Sequence, residues 1–387
     1  MGCTIGIIAN PASGKDIRRL VSYATVIDNQ EKVNILKRIV LAAQSFGAEQ
    51  IYFMPDSFQM GLRVIQDLTA DHSLSARCEV LELPCKDCTG DTTLSARRME
   101  ELGAGCIVVL GGDGTSRAAA KGVTRTPLLP ISTGTNNVYP VMAEGTVAGM
   151  AAAFAAQTWP GRTDKAANGV SSGTDEEATG VISGSTDEAA GGAFFAEEVC
   201  MRDKRIELYI NGTFADLALV DVVMTMDQCI GARAIWETDR IREILVTRCH
   251  PASIGFSAIA GSLAIVRPED DFGYMVKADS GSGKTGRTAK RNTGRIEVLA
   301  PIAAGLLQTF AISKHGTLQM NRDYDYRIEE NCMAALDGER ELRLRSGDLL
   351  TARITREGPL RVDIKKTLEK ACLAGGFLLS QKAEGMQ

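Results

Sequence analysis

Gly111-Gly112-Asp113-Gly114-Thr115 is the stretch of this sequence whose residue types and spacing can do chemistry. Its glycines let the backbone approach a phosphate with no Cβ in the way and take up positive φ where a tight turn needs it. The pentapeptide is entered from the apolar run Cys106-Ile107-Val108-Val109-Leu110 and left through Ser116-Arg117-Ala118-Ala119-Ala120, an order that reads as strand, glycine turn, helix. A helix starting there presents unpaired N–H groups and the positive end of its dipole to an anion, so Gly111, Gly112, Gly114 and Thr115 are candidate phosphate-binding residues. Asp113 would repel the same phosphate unless it has its own task, either holding a metal ion such as Mg²⁺ or accepting a proton from an attacking hydroxyl. A Gly-Asp turn at a strand end also occurs without any ligand. The two additional glycines and the helix favour the phosphate reading.

Two further loops have the same character. Ser132-Thr133-Gly134-Thr135-Asn136-Asn137 follows a strand-like segment at 127–131 and precedes a helical stretch, which makes Thr135, Asn136 and Asn137 candidates to line a nucleotide cleft. An Asn there also suits a helix cap. Asn10-Pro11-Ala12-Ser13-Gly14-Lys15 ends the apolar run at 4–9 and supplies Asn10, Ser13 and Gly14 as a third wall. Parallel strands that end in polar, glycine-bearing loops build a crevice at their carboxyl ends.

The elements that must position these loops are legible in outline. Strand-like segments near 50–54, 79–83, 105–110 and 127–131 alternate with helix-like segments near 31–46, 58–68, 91–102 and 115–122. That alternation predicts a Rossmann-like parallel sheet covered on both faces. Residues 161–192 turn to Gly, Ser, Thr, Ala, Asp and Glu with almost no large apolar side chain, the composition of a flexible insertion. From about 195 to 345, alternating runs such as Ile206-Glu207-Leu208-Tyr209-Ile210 predict antiparallel sheet, and the tail returns to a strand at 360–364 and a helix from 365. The expected division is an α/β nucleotide-binding domain over 1–145, a β-rich domain over 146–345 containing the insertion, and a closing segment over 346–387.

Composition narrows the partners. The chain has 387 residues, more than one core usually serves, and a net charge of −5, too mild for a nucleic-acid surface. No apolar run approaches the roughly 20 residues that span a bilayer, and the start shows no signal peptide, so a soluble cytoplasmic protein with reduced cysteines is expected. Two near-motifs are set aside. Ala278-Asp279-Ser280-Gly281-Ser282-Gly283-Lys284-Thr285 resembles a P-loop, but glycines and Asn after it break the helix that a P-loop requires. Cys85-Lys86-Asp87-Cys88 has zinc-ligand spacing but no second pair nearby.

Taken together, Asn10-Pro11-Ala12-Ser13-Gly14, Gly111-Gly112-Asp113-Gly114-Thr115, Gly134-Thr135-Asn136-Asn137 and Asp337-Gly338-Glu339 resemble, in this order, the NAD kinase and diacylglycerol kinase superfamily. Within it the chain resembles the acetoin catabolism protein X group of ATP-NAD-kinase-like proteins. The resemblance implies a C-terminal β-sandwich with the last strand and helix packed back on the first domain, a nucleotide held between the domains, ATP and Mg²⁺ as cofactors, and a homo-oligomer. It implies that Asp113 is metal-linked or basic, that Glu339 is a rival general base, and that Asp337 contacts nucleotide. Val220-Asp221 stands where NAD kinases are expected to carry an Asn-Glu pair, which puts NAD as acceptor in doubt while leaving Asp221 for a ribose. The expected activity is ATP-dependent phosphorylation of a small-molecule hydroxyl; a nucleotide-binding or regulatory protein without catalysis is the alternative.

Overall fold

The computed structural model of the protein describes residues 3–13, 27–134, 136–159, 198–226, 240–279, 296–338 and 340–378. The insertion expected at 161–192, Lys15 and residues 280–285 of the P-loop-like stretch lie outside them. In the first part, β1 (Cys3–Ala9), β2 (Ala48–Phe53), β3 (Arg77–Val80), β4 (Cys106–Gly111) and β5 (Leu128–Ser132) are joined through α1 (Asn29–Ser45), α2 (Met60–Ala70), α3 (Thr89–Glu101) and α4 (Asp113–Ala120). The strands are parallel in the order β3-β2-β1-β4-β5. Their near-continuous apolar runs are what a strand covered on both faces requires. Ile5, Ile7, Cys106, Val108 and Leu110 pack with Leu36 and Ile39 of α1, while Ile8, Ile107 and Val109 pack with Met99 of α3 and Ala119 of α4.

The chain runs outward from β1 through β2 to β3, then returns to the other side of β1 to form β4. Strand order therefore reverses between β1 and β4, which opens a crevice at their carboxyl ends. The loops at 10–13 and 111–115 leave the sheet there.

A fifth helix, α5 (Gly145–Thr158), packs on α1 and on the sheet, so the α/β layer continues past the boundary expected at 145. Its N-cap is Glu144, whose carboxylate accepts the Thr146 N–H at 2.7 Å and the Val147 N–H at 3.3 Å. The sheet is extended by β6 (Cys200–Arg202) and β18 (Leu360–Val362): β18 runs parallel to β5, with Arg361 opposite Leu128, and antiparallel to β6. The last described helix, α7 (Ile364–Leu373), packs on α5.

Between these crossings lies an all-antiparallel part. Its larger sheet contains β9 (Asp221–Thr225), β10 (Ile241–Val246), β11 (Phe272–Ala278), β12 (Ile296–Ala303), β13 (Leu306–Gln319), β15 (Cys332–Leu336) and β16 (Arg340–Leu344). Its smaller sheet contains β7 (Arg205–Ile210), β8 (Thr213–Ala218), β14 (Asp323–Arg327) and β17 (Leu349–Thr355). Val222, Met224 and Leu245 of the first sheet meet Ile206, Leu208, Leu350 and Ile354 of the second in one apolar layer, which makes a sandwich. The short helix α6 (Phe256–Gly261) covers the other face of the larger sheet against Val223, Ile244 and Val276.

The approach of α5 to α1 depends on Gly149, where a Cβ would lie 2.3 Å from the Ile39 carbonyl oxygen. Backbone cannot yield there as a flexible side chain would. Gly149→Ala is expected to destabilise the protein by about 1–3 kcal/mol through overpacking, read as a lower urea midpoint at unchanged m-value. An unchanged midpoint would show that the helices separate without cost.

Candidate nucleotide site

Three loops meet at the carboxyl ends of β1, β4 and β5 and are tied to one another by side chains. Asn10 joins the first to the second, with Nδ2 donating to Thr115 Oγ1 at 2.9 Å while Oδ1 accepts the Ala12 N–H at 2.9 Å. Ser13 joins the first to the third: its Oγ donates to the Asn10 carbonyl at 2.7 Å and lies 3.1 Å from the donating Thr133 Oγ1. Beneath the first loop, Lys32 of α1 is fully buried and donates to the carbonyls of Asn10 at 2.9 Å and Ser13 at 2.7 Å and to Asn29 Oδ1 at 3.1 Å. A cation in the first turn of a helix opposes the helix dipole; these oxygens offset that and fix the loop. The sequence carries one signal for it, a lysine on the apolar stripe of α1, four residues before buried Leu36.

The second loop opens α4. Gly112 occupies the N-cap position and no side chain caps the helix, so its first-turn N–H groups are disposed for an anion. Gly111 is required by the tightness of the turn, because a Cβ there would stand 2.6 Å from Thr115 Cβ. Gly114 and Thr115 follow in the first turn, both buried.

Asp113 has a specific partner. Its Oδ1 accepts the Val138 N–H at 3.0 Å and the Tyr139 N–H at 2.8 Å, and Oδ2 lies 3.2 Å from the Val138 nitrogen. The carboxylate thus fastens the loop after β5 to the start of α4. That loop does not open directly into a helix as the sequence suggested; the next helix begins only at Gly145. Nor does Asn137 cap one. Its Nδ2 donates to Ser132 Oγ at 2.7 Å, and that hydroxyl donates to the Gly134 carbonyl at 2.7 Å, folding the loop on itself. Asn136 is half-buried in the same loop. Gly14, Thr135 and Glu339 lie outside the described residues.

Asp337 and Asp221 are placed at the joint between the two parts of the molecule. The Asp337 carboxylate was expected to contact nucleotide, but it is turned inward: it accepts the N–H groups of Leu219, Val220 and Asp221 at 2.9, 2.8 and 3.1 Å. Burial pushes its carboxyl above the ordinary value, against the lowering effect of Arg117 and the three amides. Arg117, one turn into α4, donates Nη1 to the Leu336 carbonyl at 2.9 Å. Asp221 begins β9, is buried, and accepts the Asp337 N–H on its carbonyl at 3.0 Å. The Val220 side chain packs in an apolar cluster with Tyr139, Leu217 and Leu219.

Tyr139 leads to a second tie that the sequence did not reveal. Its hydroxyl donates to Asp203 Oδ2 at 2.7 Å; Arg248 Nη2 and Arg361 Nε reach the same carboxylate at 2.9 Å each. Burial alone would raise the Asp203 carboxyl, but the two guanidiniums and the donated hydrogen bonds hold it below its usual value. Burial likewise pushes the Tyr139 hydroxyl well up. The loop that carries Asn136 and Asn137 is therefore fixed at its far end, Val138-Tyr139, by both Asp113 and Asp203.

Among the described residues no group of three or more His, Cys, Asp or Glu is placed to hold a metal ion, and Cys85 and Cys88 are exposed thiols. No described helix is long and apolar enough to cross a membrane.

A Rossmann-like parallel sheet with its glycine turn, joined to an antiparallel sandwich, defines an NAD kinase-like protein: residues 5–158 match the ATP-NAD kinase N-terminal domain. Residues 204–357 match the acetoin catabolism protein X C-terminal domain. The chain belongs to the acetoin catabolism protein X family, being 33% identical over 377 residues to acetoin catabolism protein X of Cupriavidus necator, across 95% of this chain and 92% of that one. Among solved structures it is similar to yeast NADH kinase complexed with NADH, at 12% identity and a TM-score of 0.46, covering 100% of this chain and 91% of that one. It is also similar to an NAD kinase from Archaeoglobus fulgidus in complex with ATP, at 14% identity and a TM-score of 0.33, covering 84% of this chain and 97% of that one.

Replacing Asp113 by Ala removes the acceptor for two loop amides. The loss is expected to cost about 1.5–3 kcal/mol, the range for hydrogen bonds to a charged group, measured by urea denaturation. Stability equal to the parent protein would mean that the loop after β5 is held without this carboxylate.

Proposed function

We propose that the protein is an ATP-dependent kinase that transfers phosphate to a hydroxyl of a small molecule. The observation that carries this reading is the uncapped first turn of α4, held at a topological switch point between two other polar loops. The match to the ATP-NAD kinase domain supports ATP as donor. In this reading the N–H groups of Gly112, Gly114 and Thr115 take the phosphates, with Asn10, Ser13, Asn136 and Asn137 lining the cleft. Mg²⁺ usually binds through one or two carboxylates plus substrate phosphates, and Asp113, in the first turn of α4, is the carboxylate that would meet it there. When bound, the ion would neutralise charge on the phosphates.

Asp113 is engaged by two amides, so the general base is assigned to Glu339, the last residue of Asp337-Gly338-Glu339 in the sequence. Gly338, one residue before it, is exposed with a φ of 71°. The name of the curated relative supports an acceptor connected with acetoin catabolism; cytoplasmic action as a homo-oligomer is part of the proposal. NAD should be a poor acceptor, because Val220 offers no polar side chain and is packed against Tyr139.

A second reading is favoured by the engagement of Asp113: a regulatory protein that binds nucleotide without turning it over. The two are separated by incubating the full chain with ATP, Mg²⁺ and pooled hydroxylated metabolites and following phosphorylated products by mass spectrometry. Glu339→Gln is expected to lower turnover by about 10²-fold or more with ATP affinity retained, whereas Asp113→Asn should weaken Mg²⁺-dependent ATP binding. Wild-type turnover in Glu339→Gln would reject the base assignment, and tight ATP binding without any product would leave the regulatory reading standing.

A further inference from the structure

Cys85-Lys86-Asp87-Cys88 places two exposed thiols in the loop that leads from β3 into α3. Cys88 is the N-cap of α3 in extended backbone, and Asp87 just before it takes a φ of 52°, which bends the chain. The bend closes around one carboxylate. Asp91, in the first turn of α3, accepts the Lys86 N–H at 2.8 Å and the Cys88 N–H at 3.3 Å on the same oxygen, Oδ2. Its Oδ1 accepts the Cys88 Sγ–H at 3.6 Å, and Asp87 Oδ1 accepts the Cys85 Sγ–H at 3.7 Å. Residues three apart in a bend have Cα atoms within about 7 Å, and a disulfide spans roughly 4.4–6.8 Å.

The pair is open to a reagent. Among the described residues, a Cβ added at Gly90 would find one atom within 4 Å beyond its chain neighbours and its own helix backbone, Cys88 Sγ at 3.4 Å, so the flank of that thiol is free. No group of three or more described His, Cys, Asp or Glu is placed there to hold a metal. Thiol-disulfide exchange is the chemistry left to two adjacent exposed thiols. Burial, with the carboxylates of Asp87 and Asp91 beside it, holds the Cys85 thiol above its ordinary value, so exchange is slow near neutral pH and quickens as pH rises.

We propose that Cys85 and Cys88 form a reversible disulfide, made by exchange with a low-molecular-weight disulfide, that weakens nucleotide binding at α4. One cysteine thiolate attacks a sulfur of the oxidant RSSR, displacing RS⁻ and leaving a mixed disulfide. The other thiolate attacks the protein sulfur and displaces the second RS⁻. Two electrons pass from the cysteines to the oxidant, and the two cysteine protons end on two RSH. Closing the disulfide takes both S–H donors from the aspartates and reshapes the turn that Asp91 caps. Thr89 and Gly90, next after Cys88, line one cleft with Arg117 and Ala118 of α4. Thr93 Oγ1 donates to the Ala118 carbonyl at 2.8 Å, and a Cβ at Gly122 would stand 2.3 Å from the Thr93 carbonyl oxygen. Packing this close transmits a shift of α3 to α4. The effect on nucleotide rests on the phosphate-site reading above; the disulfide does not.

The test treats the full chain with oxidised glutathione and follows its peptides by mass spectrometry. The peptide holding Cys85 and Cys88 should lose two hydrogens, keep no glutathione and return to the dithiol with dithiothreitol. In Cys88→Ser, which retains a good helix cap, Cys85 should carry glutathione instead. Oxidised protein should exchange the amides of 113–120 faster and bind ATP about fivefold more weakly or worse, the lower end of ordinary coupling between sites. The double variant Cys85→Ser/Cys88→Ser should show neither change. Two glutathione adducts on the wild-type peptide, or no reaction there, would overturn the pair. A disulfide that leaves exchange at 113–120 unchanged, or leaves the affinity of an ATP-binding protein unchanged, would overturn the switch, as would the same changes in the double variant. Faster exchange at 113–120 on oxidation, with no ATP binding in either state, would sustain the link to α4 and sink the nucleotide reading instead.

Discussion

The first turn of α4 carries N–H groups that no side chain caps, because glycine stands at the cap position. Donors left this way at the meeting of two structural layers are costly unless water or a ligand satisfies them, and they are useful only if their direction is fixed. Much of the surrounding structure fixes it. Asn10 holds Thr115 from the first loop, Asp113 binds the third loop across the turn, and Arg117 ties the body of the helix to the sandwich. Lys32 acts one step further out, gathering the carbonyls of the first loop.

The two layers are joined by buried ionic groups rather than by apolar packing alone. Asp203 receives two arginines and a tyrosine, and Asp337 receives three amides with Arg117 behind them. Buried charges are costly when a partner is missing, and their geometry tolerates little displacement. The consequence for function is a cleft of defined width. Tyr139 belongs to the Asp203 cluster and also donates its N–H to Asp113, so the orientation of the sandwich is coupled to the loop that carries Asn136 and Asn137.

The sequence showed the parts of this arrangement that are local in the chain. The order of strand, glycine turn and helix around Asp113 is written in consecutive residues, and the parallel sheet follows from repeated apolar runs. α5 was harder to read because its small apolar residues lack a polar face, so no helical period marks it. The loop after β5 looked like the start of a helix from its Gly and Asn content; its actual tether, the Asp113 carboxylate, acts from a different strand end. The Asp203 cluster draws Tyr139, Arg248 and Arg361 from distant parts of the chain, and only the fold brings them together. The inward turn of Asp337 was hidden for the same reason, since its partners at 219–221 belong to another strand end.

The central claim is that the start of α4, framed by the loops after β1 and β5, is where the nucleotide phosphates bind. Amide hydrogen exchange of the full chain with and without MgATP tests it most directly. Exchange should slow at 10–13, 111–115 and 136–139 and stay unchanged in the hairpin of β12 and β13, on the far side of the sandwich sheet from the cleft strands. Unchanged exchange at 111–115 in ATP-saturated protein, or protection confined to other segments, would contradict the account.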